Sequence, residues 1–295
     1  MFNKKEGIMG RGKRIPITPY LLLIPAMALM IMFSFYPFIK TAVSSFAITT
    51  EFGDFIRFNG LGNWKRVLHD EVFVGAFKNT MIFGSIALVV SFFVAMFFAL
   101  LSTNRGRGSR VYQILFSLPM VIASAPIAAI WRFILRENGG LMNQVLGTEI
   151  AWLRDSRTAL IVVALVTAWT HIASNYLYLL VGFRNVSDDL IEAAKIDGAG
   201  WWTRTLRIML PMASPQIFYV LFLNIIWSLK VITQIQLLTS GGPNNASTTL
   251  MWYLYGASRT GQFEKACCTS LVLFVLIFVA TRIQFAFEKK LVHYQ

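Results

Sequence analysis

The stretch NVSDDLIEAAKIDGAGWWTRTLRIMLP, residues 185–211, lies between two long apolar segments of a 295-residue chain. It begins with polar residues, continues with small ones and becomes basic towards its end. Ser187 is a good helix N-cap, and the acidic pair that follows it suits the positive end of a helix dipole. Nothing in residues 188–197 breaks a helix, and Gly198 stands where a left-handed terminator belongs. The stretch therefore predicts a short surface helix over residues 187–199.

Two uses of this predicted helix are open from its residues. Ala193 and Ala194 add little side-chain bulk, so the backbone of another protein could approach closely and dock there. Alternatively, the helix is amphipathic and lies in the headgroup layer, where Trp201 and Trp202 would anchor it. From the residues of the stretch alone, docking and anchoring are equally well supported.

The composition of the chain indicates a polytopic membrane protein. Hydrophobic residues make up 56% of it and charged residues only 14%, whereas an average soluble domain has about 25% charged residues. The formal net charge of +13 would suggest a nucleic acid as partner for a soluble protein, but here it fits Lys and Arg in cytoplasmic loops. We therefore expect a lipid bilayer, and no nucleic acid, as the environment of this chain.

Six apolar segments are each long enough to cross a bilayer. The first follows basic residues but has no clear small-residue cleavage site, so it is interpreted as a retained helix rather than a signal peptide. The predicted fold class is all-α, with six transmembrane helices. The spans are approximately 20–39, 80–101, 111–134, 159–183, 209–238 and 266–287.

Charge placement favours both termini inside the cell. With that orientation the inside segments carry fifteen basic residues against eleven outside, where the loops are also much longer. The chain would then consist of a basic cytoplasmic tail, a six-helix transmembrane domain and a short cytoplasmic C-terminal tail. The corresponding ranges are 1–18, 19–288 and 289–295.

The sequence has no convincing catalytic or metal site. Residues 7–13 resemble a phosphate-binding loop, but Arg14 replaces the Ser or Thr that would hold Mg²⁺, and no strand precedes them. Cys267 and Cys268 are adjacent and isolated, which fits neither a disulfide framework nor a metal site. We expect a chain that binds no cofactor or metal and performs no chemistry of its own.

Several motifs give the chain a family resemblance. Glu192-Ala193-Ala194, followed by Asp197-Gly198-Ala199 and then by Ile208 and Leu210-Pro211, is similar to the signature of binding-protein-dependent ABC importer permeases. The segments 59–64 and 238–243 resemble the first permease of carbohydrate importers, the maltose-permease-like group. Within that group, residues 107–113 and the C-terminal tail look most similar to sn-glycerol-3-phosphate permeases.

The resemblance implies a type I permease fold in a bacterial inner membrane. A second permease subunit, two ATPase subunits holding ATP and Mg²⁺, and an extracytoplasmic solute-binding protein would be its partners. Residues 187–199 would form the coupling helix that docks on an ATPase subunit and switches the pore by rigid-body motion. The coupling residues carried over are Glu192, Ala193, Ala194, Asp197, Gly198, Ile208 and Pro211.

Polar side chains inside the fourth and fifth spans are candidates for the solute pathway, because such groups usually face a cavity or a partner helix. Lys230 could pair with a phosphate or a sugar acid, or snorkel to the outer surface. The alternative is a structural role, in which these residues are interfacial anchors and interhelical hydrogen-bonding groups. The candidates are Trp169, His171, Asn175, Tyr178, Asn224, Trp227, Lys230 and Gln234.

Two other functions compete with a permease subunit of an ATP-driven importer. A stand-alone, ion-coupled secondary transporter should carry carboxylates at mid-span, and no Asp or Glu lies inside the six predicted spans. A membrane-bound enzyme or scaffold has little support, because no nucleophile or metal-ligand constellation is present. The importer of a carbohydrate or polyol phosphate is the leading hypothesis.

Overall fold

A computed structural model describes residues 18–103 and 107–291. The motif at residues 7–13 and nearly all of the predicted N-terminal tail therefore lie outside the described residues. The chain divides into two compact units, residues 1–43 and residues 44–295.

The first unit contains one apolar helical segment. Helix α1 spans Thr18–Met30 and includes Pro25, a π-helical turn spans Ile31–Phe35, and α2 spans Tyr36–Ser44. Residues Leu21–Ser44 are long and apolar enough to cross a membrane, which agrees with the first predicted span.

The second unit is mostly helical, with one small hairpin near its start. The strands are β1 (Ala47–Thr49) and β2 (Phe55–Phe58), which pair antiparallel. The helices up to the middle of the chain are α3 (Gly62–Leu68), α4 (Glu71–Leu101), α5 (Arg107–Val121), α6 (Ser124–Ile134), α7 (Leu141–Leu146) and α8 (Ala159–Arg184). The later ones are α9 (Asp188–Ile196), α10 (Trp201–Arg204), a π-helical turn (Thr205–Met209), α11 (Leu210–Met212), α12 (Ser214–Leu229), α13 (Thr233–Leu238), α14 (Leu250–Arg259) and α15 (Phe263–Leu291).

Helix α4 packs lengthwise against α8 because one of its faces is made of small residues. Glycine, alanine, serine and threonine at intervals of three or four residues let two helix backbones approach closely in a membrane. The buried small residues of α4 are Ala76, Thr80, Gly84, Ala87, Ser91, Ala95 and Ala99. This helix begins at Glu71 rather than at the predicted residue 80, and its 31 residues, about 46 Å, exceed a bilayer core of about 30 Å.

The third predicted span is not one straight helix. Helices α5 and α6 meet at an angle of 105°. Pro126, in the first turn of α6, has no N–H to donate to the carbonyl of Ile122, and its ring crowds that carbonyl. The prediction of a continuous helix over residues 111–134 is therefore wrong, although the bent pair is long enough to count as one span.

The fifth predicted span is interrupted twice. The segment Trp201–Met212 meets α12 at 70°, next to Pro215 in the first turn of α12. Helix α12 then ends at Leu229, and α13 begins at Thr233 after three non-helical residues. Lys230 therefore caps the end of a helix and does not lie inside one, which corrects the prediction of a helix reaching residue 238.

By length and composition, four helices within the described ranges could cross a membrane, or six if each bent pair is one span. The fourth and sixth predicted spans are confirmed as α8 and α15. Helix α15 continues to Leu291, so the beginning of the predicted C-terminal tail is helical. The hairpin β1–β2 adds a small sheet to the all-α prediction, and Asn63 ties it to α3 by donating to the carbonyl oxygens of Ser45 and Ala47 at 3.2 and 2.7 Å.

Candidate functional site

Helix α9 has the ends that the sequence predicts. Ser187 occupies the N-cap position in an extended conformation, although its side chain makes no capping hydrogen bond. At the other end Gly198 has a φ of +79°, and its N–H donates to the carbonyl of Lys195 at 3.1 Å. The N–H of Ala199 donates to the carbonyl of Ala194 at 2.9 Å, which completes a Schellman motif. The glycine terminates the helix because it adopts this left-handed conformation without a steric cost.

The two faces of α9 have different surroundings. Ile191 packs against the apolar cluster that contains Phe183 and Met209, and Ala194 is buried at 8% exposure. Ala193 and Glu192 lie on the exposed face, and Ile196 is 87% exposed although it is apolar.

The structure separates the predicted coupling residues into two groups. Glu192, Ala193, Asp197 and Gly198 are exposed around α9 and its end. Ala194 is only 8% exposed and packs inwards, while Ile208 is partly buried against the same cluster. The predicted close approach of another backbone can therefore use Ala193, whereas Ala194 seats α9 on its own chain. Pro211 belongs to the short helix α11 and is also partly buried.

A cavity of about 340 Å³ opens beside the interruption between α12 and α13. We call it the break cavity. His171 on α8 stacks on Trp227 of α12, with ring centroids 5.5 Å apart and planes tilted by 16°. Lys230, Gln234 and the main chain between α12 and α13 complete this wall, and none of the described residues lining the cavity is acidic. Its lining comprises Ser124, His171, Ser174, Trp227, Lys230, Val231, Ile232, Thr233 and Gln234.

Two of the predicted pathway residues belong to the helix packing instead. Asn175 and Asn224 are at most 1% exposed, and their side-chain amides donate to the hydroxyl of Ser91 at 3.2 and 3.1 Å. Asn224 also donates to the carbonyl of Leu88 at 3.5 Å. This polar cluster joins α4, α8 and α12, so the interhelical alternative describes both asparagines and they line no part of the break cavity.

The two remaining candidates are aromatic and also stand apart from the break cavity. Trp169 makes an edge-to-face contact with Trp131 of α6, with centroids 5.6 Å apart. Tyr178 makes an edge-to-face contact with Tyr219 of α12 at 6.1 Å. The structure thus brings together His171, Trp227, Lys230 and Gln234 of the eight predicted residues.

Comparison with known proteins assigns these features to a family. Residues 91–293 match the model of the binding-protein-dependent transport system inner membrane component. The chain belongs to this family. Among its relatives are the sn-glycerol-3-phosphate transport system permease proteins UgpA of Yersinia enterocolitica and of Escherichia coli O157:H7, each 33% identical over 282 residues, covering 94% of this chain and 96% of the relative. The protein is thus an inner-membrane permease of a binding-protein-dependent ABC importer.

Solved structures confirm the fold of the permease. A chain of the bacterial alginate ABC transporter, in complex with an alginate pentasaccharide-bound periplasmic protein, superposes with a TM-score of 0.80 at 20% identity. The match covers 92% of the permease and 94% of that chain. A second alginate transporter structure gives a TM-score of 0.77 at 21% identity. The predicted ABC importer permease fold is therefore confirmed.

A second cavity, which we call the arginine cavity, was missed from the sequence. It has a volume of about 1070 Å³ and is lined by Arg132, Arg136 and Arg154 together with Glu137. Glu137 lies 4.0 Å from Arg154, so the cavity keeps an excess of positive charge. Helix α6 connects the two cavities, since its residue Ser124 lines the break cavity and Arg132 lines the arginine cavity, about 12 Å further along the axis. Arg132 and Arg136 are four residues apart in the sequence, which was a local signal of a basic site. Arg154 comes from a distant loop and could not be assigned to the same site from the sequence.

A charged network connects the start of α4 with α14 and α15. Asp70 accepts a hydrogen bond from the hydroxyl of Tyr253 at 2.7 Å, and Lys265 Nζ lies 2.6 Å from the same carboxylate oxygen. Burial alone would raise the pKa of Asp70, but its hydrogen bonds with Lys265 and Tyr253 and the lysine charge outweigh this and lower it. Burial, followed by the neighbouring Asp70 carboxylate, raises the pKa of the Tyr253 hydroxyl. The network therefore holds an ionised carboxylate and a neutral tyrosine.

Within the described ranges, no three His, Cys, Asp or Glu side chains come together as a metal site would require. Cys268 is buried and Cys267 is partly buried, and neither forms a disulfide within the described residues. The polar groups of the permease are thus arranged for hydrogen bonding and charge pairing.

Proposed function

We propose that the permease imports an acidic carbohydrate or a polyol phosphate by alternating access, and that ATP hydrolysis in separate subunits drives the cycle. The choice of solute in this proposal rests on the lining of the break cavity. It combines a stacked aromatic pair, an amide and a lysine, Lys230, with no acidic side chain among its described lining residues. Aromatic faces with hydrogen-bonding partners suit a sugar or polyol, and the ammonium group suits its carboxylate or phosphate.

Lys230 is suited to this role because its ammonium group forms no ion pair with a carboxylate of the described residues. It is exposed at the end of α12, and within residues 18–103 and 107–291 no carboxylate lies in ion-pair range of it. A cation at membrane depth is costly and normally has a partner or faces a water-filled cavity. We infer that an anionic solute is its transient partner. The names of the similar proteins agree, since the relatives are sn-glycerol-3-phosphate permeases and the solved structure is an alginate transporter in complex with a periplasmic protein that holds an alginate pentasaccharide.

The arginine cavity would lie on the extracytoplasmic side and precede the break cavity along the same path. Both termini would be cytoplasmic, because the inside segments carry more basic residues. A solute-binding protein would deliver solute from outside, and a second permease subunit would complete the pore. The alginate transporter structure, which contains a bound periplasmic protein, supports this arrangement.

Helix α9 would be the coupling helix on the cytoplasmic side. Its exposed face presents Glu192, Ala193 and the apolar Ile196, and its inner face is fixed to the core by Ile191 and Ala194. A rigidly seated helix transmits motion, so closure of two ATPase subunits holding ATP and Mg²⁺ would shift the attached spans as a body. The permease itself would be a transport subunit without catalytic residues.

The coupling proposal is tested by two substitutions on the exposed side of α9. Glu192→Lys and Gly198→Asp should leave a membrane-inserted protein that no longer copurifies with its ATPase, measured by affinity pull-down together with solute uptake. Glu149→Lys, an equal charge reversal in a distant exposed loop, is the control and should retain both. Normal copurification and uptake by both α9 variants would refute the docking role of this helix.

A further inference from the structure

A third cavity lies at the base of α9 and is separate from the proposed solute path. Its volume is about 210 Å³, and it is enclosed by the end of α8, the inner face of α9 and the start of α10 with the π-helical turn that follows. We call it the basal cavity. Its walls share no residue with the break cavity or with the arginine cavity.

The charged side chains of the basal cavity are mostly cationic. Among its described lining residues, three are cationic, Arg184, Lys195 and Arg204, and one is acidic, Asp188, so the described charges sum to +2. Arg184 is held in place by a hydrogen bond of 3.4 Å from its Nη2 to the carbonyl of Ser102. The three cations come from three different segments, so a long-range arrangement of the chain produces this concentration of charge.

A buried hydroxyl provides a second and independent observation. Thr205 is only 1% exposed and lines the basal cavity. Its Oγ1 has no hydrogen-bond partner within the described residues. A buried hydroxyl without a partner is destabilising, so such groups are normally satisfied by a water or a ligand.

We propose that the basal cavity binds a phosphate group. Two arginines and a lysine are the side chains that bind phosphate oxygens most strongly, and the Thr205 hydroxyl can donate to a further oxygen. The phosphate would join the end of α8, the inner face of α9 and the start of α10 through these contacts. Its binding would hold the coupling helix in its seat, and it does not depend on which solute the permease carries.

The phosphate could come from an anionic lipid headgroup or from free phosphate in solution. Basic pockets beside membrane helices bind lipid headgroups, and the neighbouring Trp202 is 67% exposed, as suits an interfacial residue. The chemistry recognised is the same for both sources, so the experiment must distinguish them.

The test uses the full-length permease in nanodiscs. Inorganic phosphate is titrated calorimetrically into discs of phosphatidylcholine, and phosphatidylglycerol retention from mixed-lipid discs is measured by native mass spectrometry. In whichever of the two assays shows binding to the wild type, Arg204→Gln should weaken that binding by at least about tenfold, because it removes a charge-assisted contact. Thr205→Val, which keeps the shape, should weaken it about threefold. Arg207→Gln, an exposed neighbour that does not line the cavity, should leave it unchanged.

Each outcome is decisive. Saturable phosphate binding that Arg204→Gln weakens supports the proposal with free phosphate as the source. Selective retention of phosphatidylglycerol that Arg204→Gln abolishes supports it with a lipid as the source. Absence of both, or an equal loss in Arg204→Gln and Arg207→Gln among variants of unchanged circular dichroism, overturns it. These assays involve neither transport nor ATPase, so a failure of the importer mechanism would leave the result interpretable.

Discussion

Helices α8 and α12 present polar residues in two neighbouring regions that are used in opposite ways. In the packed region, Asn175 and Asn224 share the hydroxyl of Ser91 and are at most 1% exposed. In the break cavity, His171 and Trp227 stack beside an exposed Lys230. The difference teaches that polarity at membrane depth has two meanings. Where the protein provides the hydrogen-bond partner the group is structural, and where it provides none the group is available to a solute.

Removing the charge of Lys230 tests the open region and should have the largest effect. Lys230→Gln should lower the transport kcat/KM of an anionic solute about 10- to 100-fold, because a charge-assisted contact is lost. The measurement is uptake of labelled solute into proteoliposomes that contain the assembled transporter. Lys230→Arg should retain most activity. An equal loss for a neutral sugar would show that Lys230 is needed for the fold and not for solute charge.

The packing of α8 against α12 is tested at Gly182, which lies against Gln216 of α12. A Cβ on Gly182 would lie 2.6 Å from both Cβ and Cγ of Gln216, so Gly182→Ala should push the two helices apart. We expect a loss of about 1–3 kcal/mol in the free energy of unfolding. Gly75→Ala, in α4 with no atom within 4 Å of the new Cβ, is the matched control. Thermal unfolding in detergent measures both, and equal stabilities would contradict the close packing.

The structural role of the asparagines predicts a smaller effect. Asn224→Leu removes its hydrogen bonds with Ser91 and should destabilise the permease by about 0.6 kcal/mol, the average for such bonds in membrane proteins. At a permissive temperature it should transport normally. His171→Leu should do the reverse, with unchanged thermal stability and impaired uptake. Loss of transport by a stable Asn224→Leu protein would break the distinction between the two regions.

Two lysines extend the comparison to charge. Lys265 is paired with Asp70 at 2.6 Å, whereas Lys230 faces a cavity. Lys265→Met should therefore cost stability, by about 1 kcal/mol or less since both side chains are partly exposed, and should not change solute selectivity.

The pH dependence of the same pair follows from the lowered pKa of Asp70. A carboxylate whose pKa is lower in the folded state contributes stability above its unfolded pKa of about 3.9. That contribution is lost as the pH falls through the lower, folded value. The difference in melting temperature between the wild type and Asp70→Asn should therefore be constant above about pH 5 and should shrink below about pH 4. A difference that shrinks between pH 7 and pH 5 would rule out this assignment.

Local features were predictable from the sequence, and the ends of α9 illustrate this. Gly198 ends the helix through a Schellman motif, which depends only on neighbouring residues, and Ser187 stands at the predicted N-cap position although its side chain makes no capping hydrogen bond. The spans were also predictable, because the length of an apolar segment depends only on the residues of that segment. The two interruptions of the fifth span were not predicted. Proline is tolerated inside membrane helices, so Pro215 alone does not indicate a bend, and no proline marks the second interruption at residues 230–232.

Side-chain environment was less predictable because it depends on which face of a helix meets which neighbour. His171 and Asn175 are one helical turn apart on α8, yet one lines a cavity and the other bonds to α4. The small-residue stripe of α4 was the available signal, since it marks the face against which α8 packs. The basal cavity could not be foreseen, because Arg184, Lys195 and Arg204 meet only after α8, α9 and α10 fold together.

The interruption at residues 230–232 has a consequence for how specificity diversifies. Part of the cavity wall is a non-helical segment, because Val231 and Ile232 line the cavity and lie outside any helix. Main-chain amides and carbonyls are the same in every descendant of a gene, whereas side chains change with single mutations. A lineage can therefore exchange Lys230 or Gln234 and select a different solute while it inherits the same polypeptide frame. One transporter architecture would in this way supply a cell with several uptake systems that differ by a few codons.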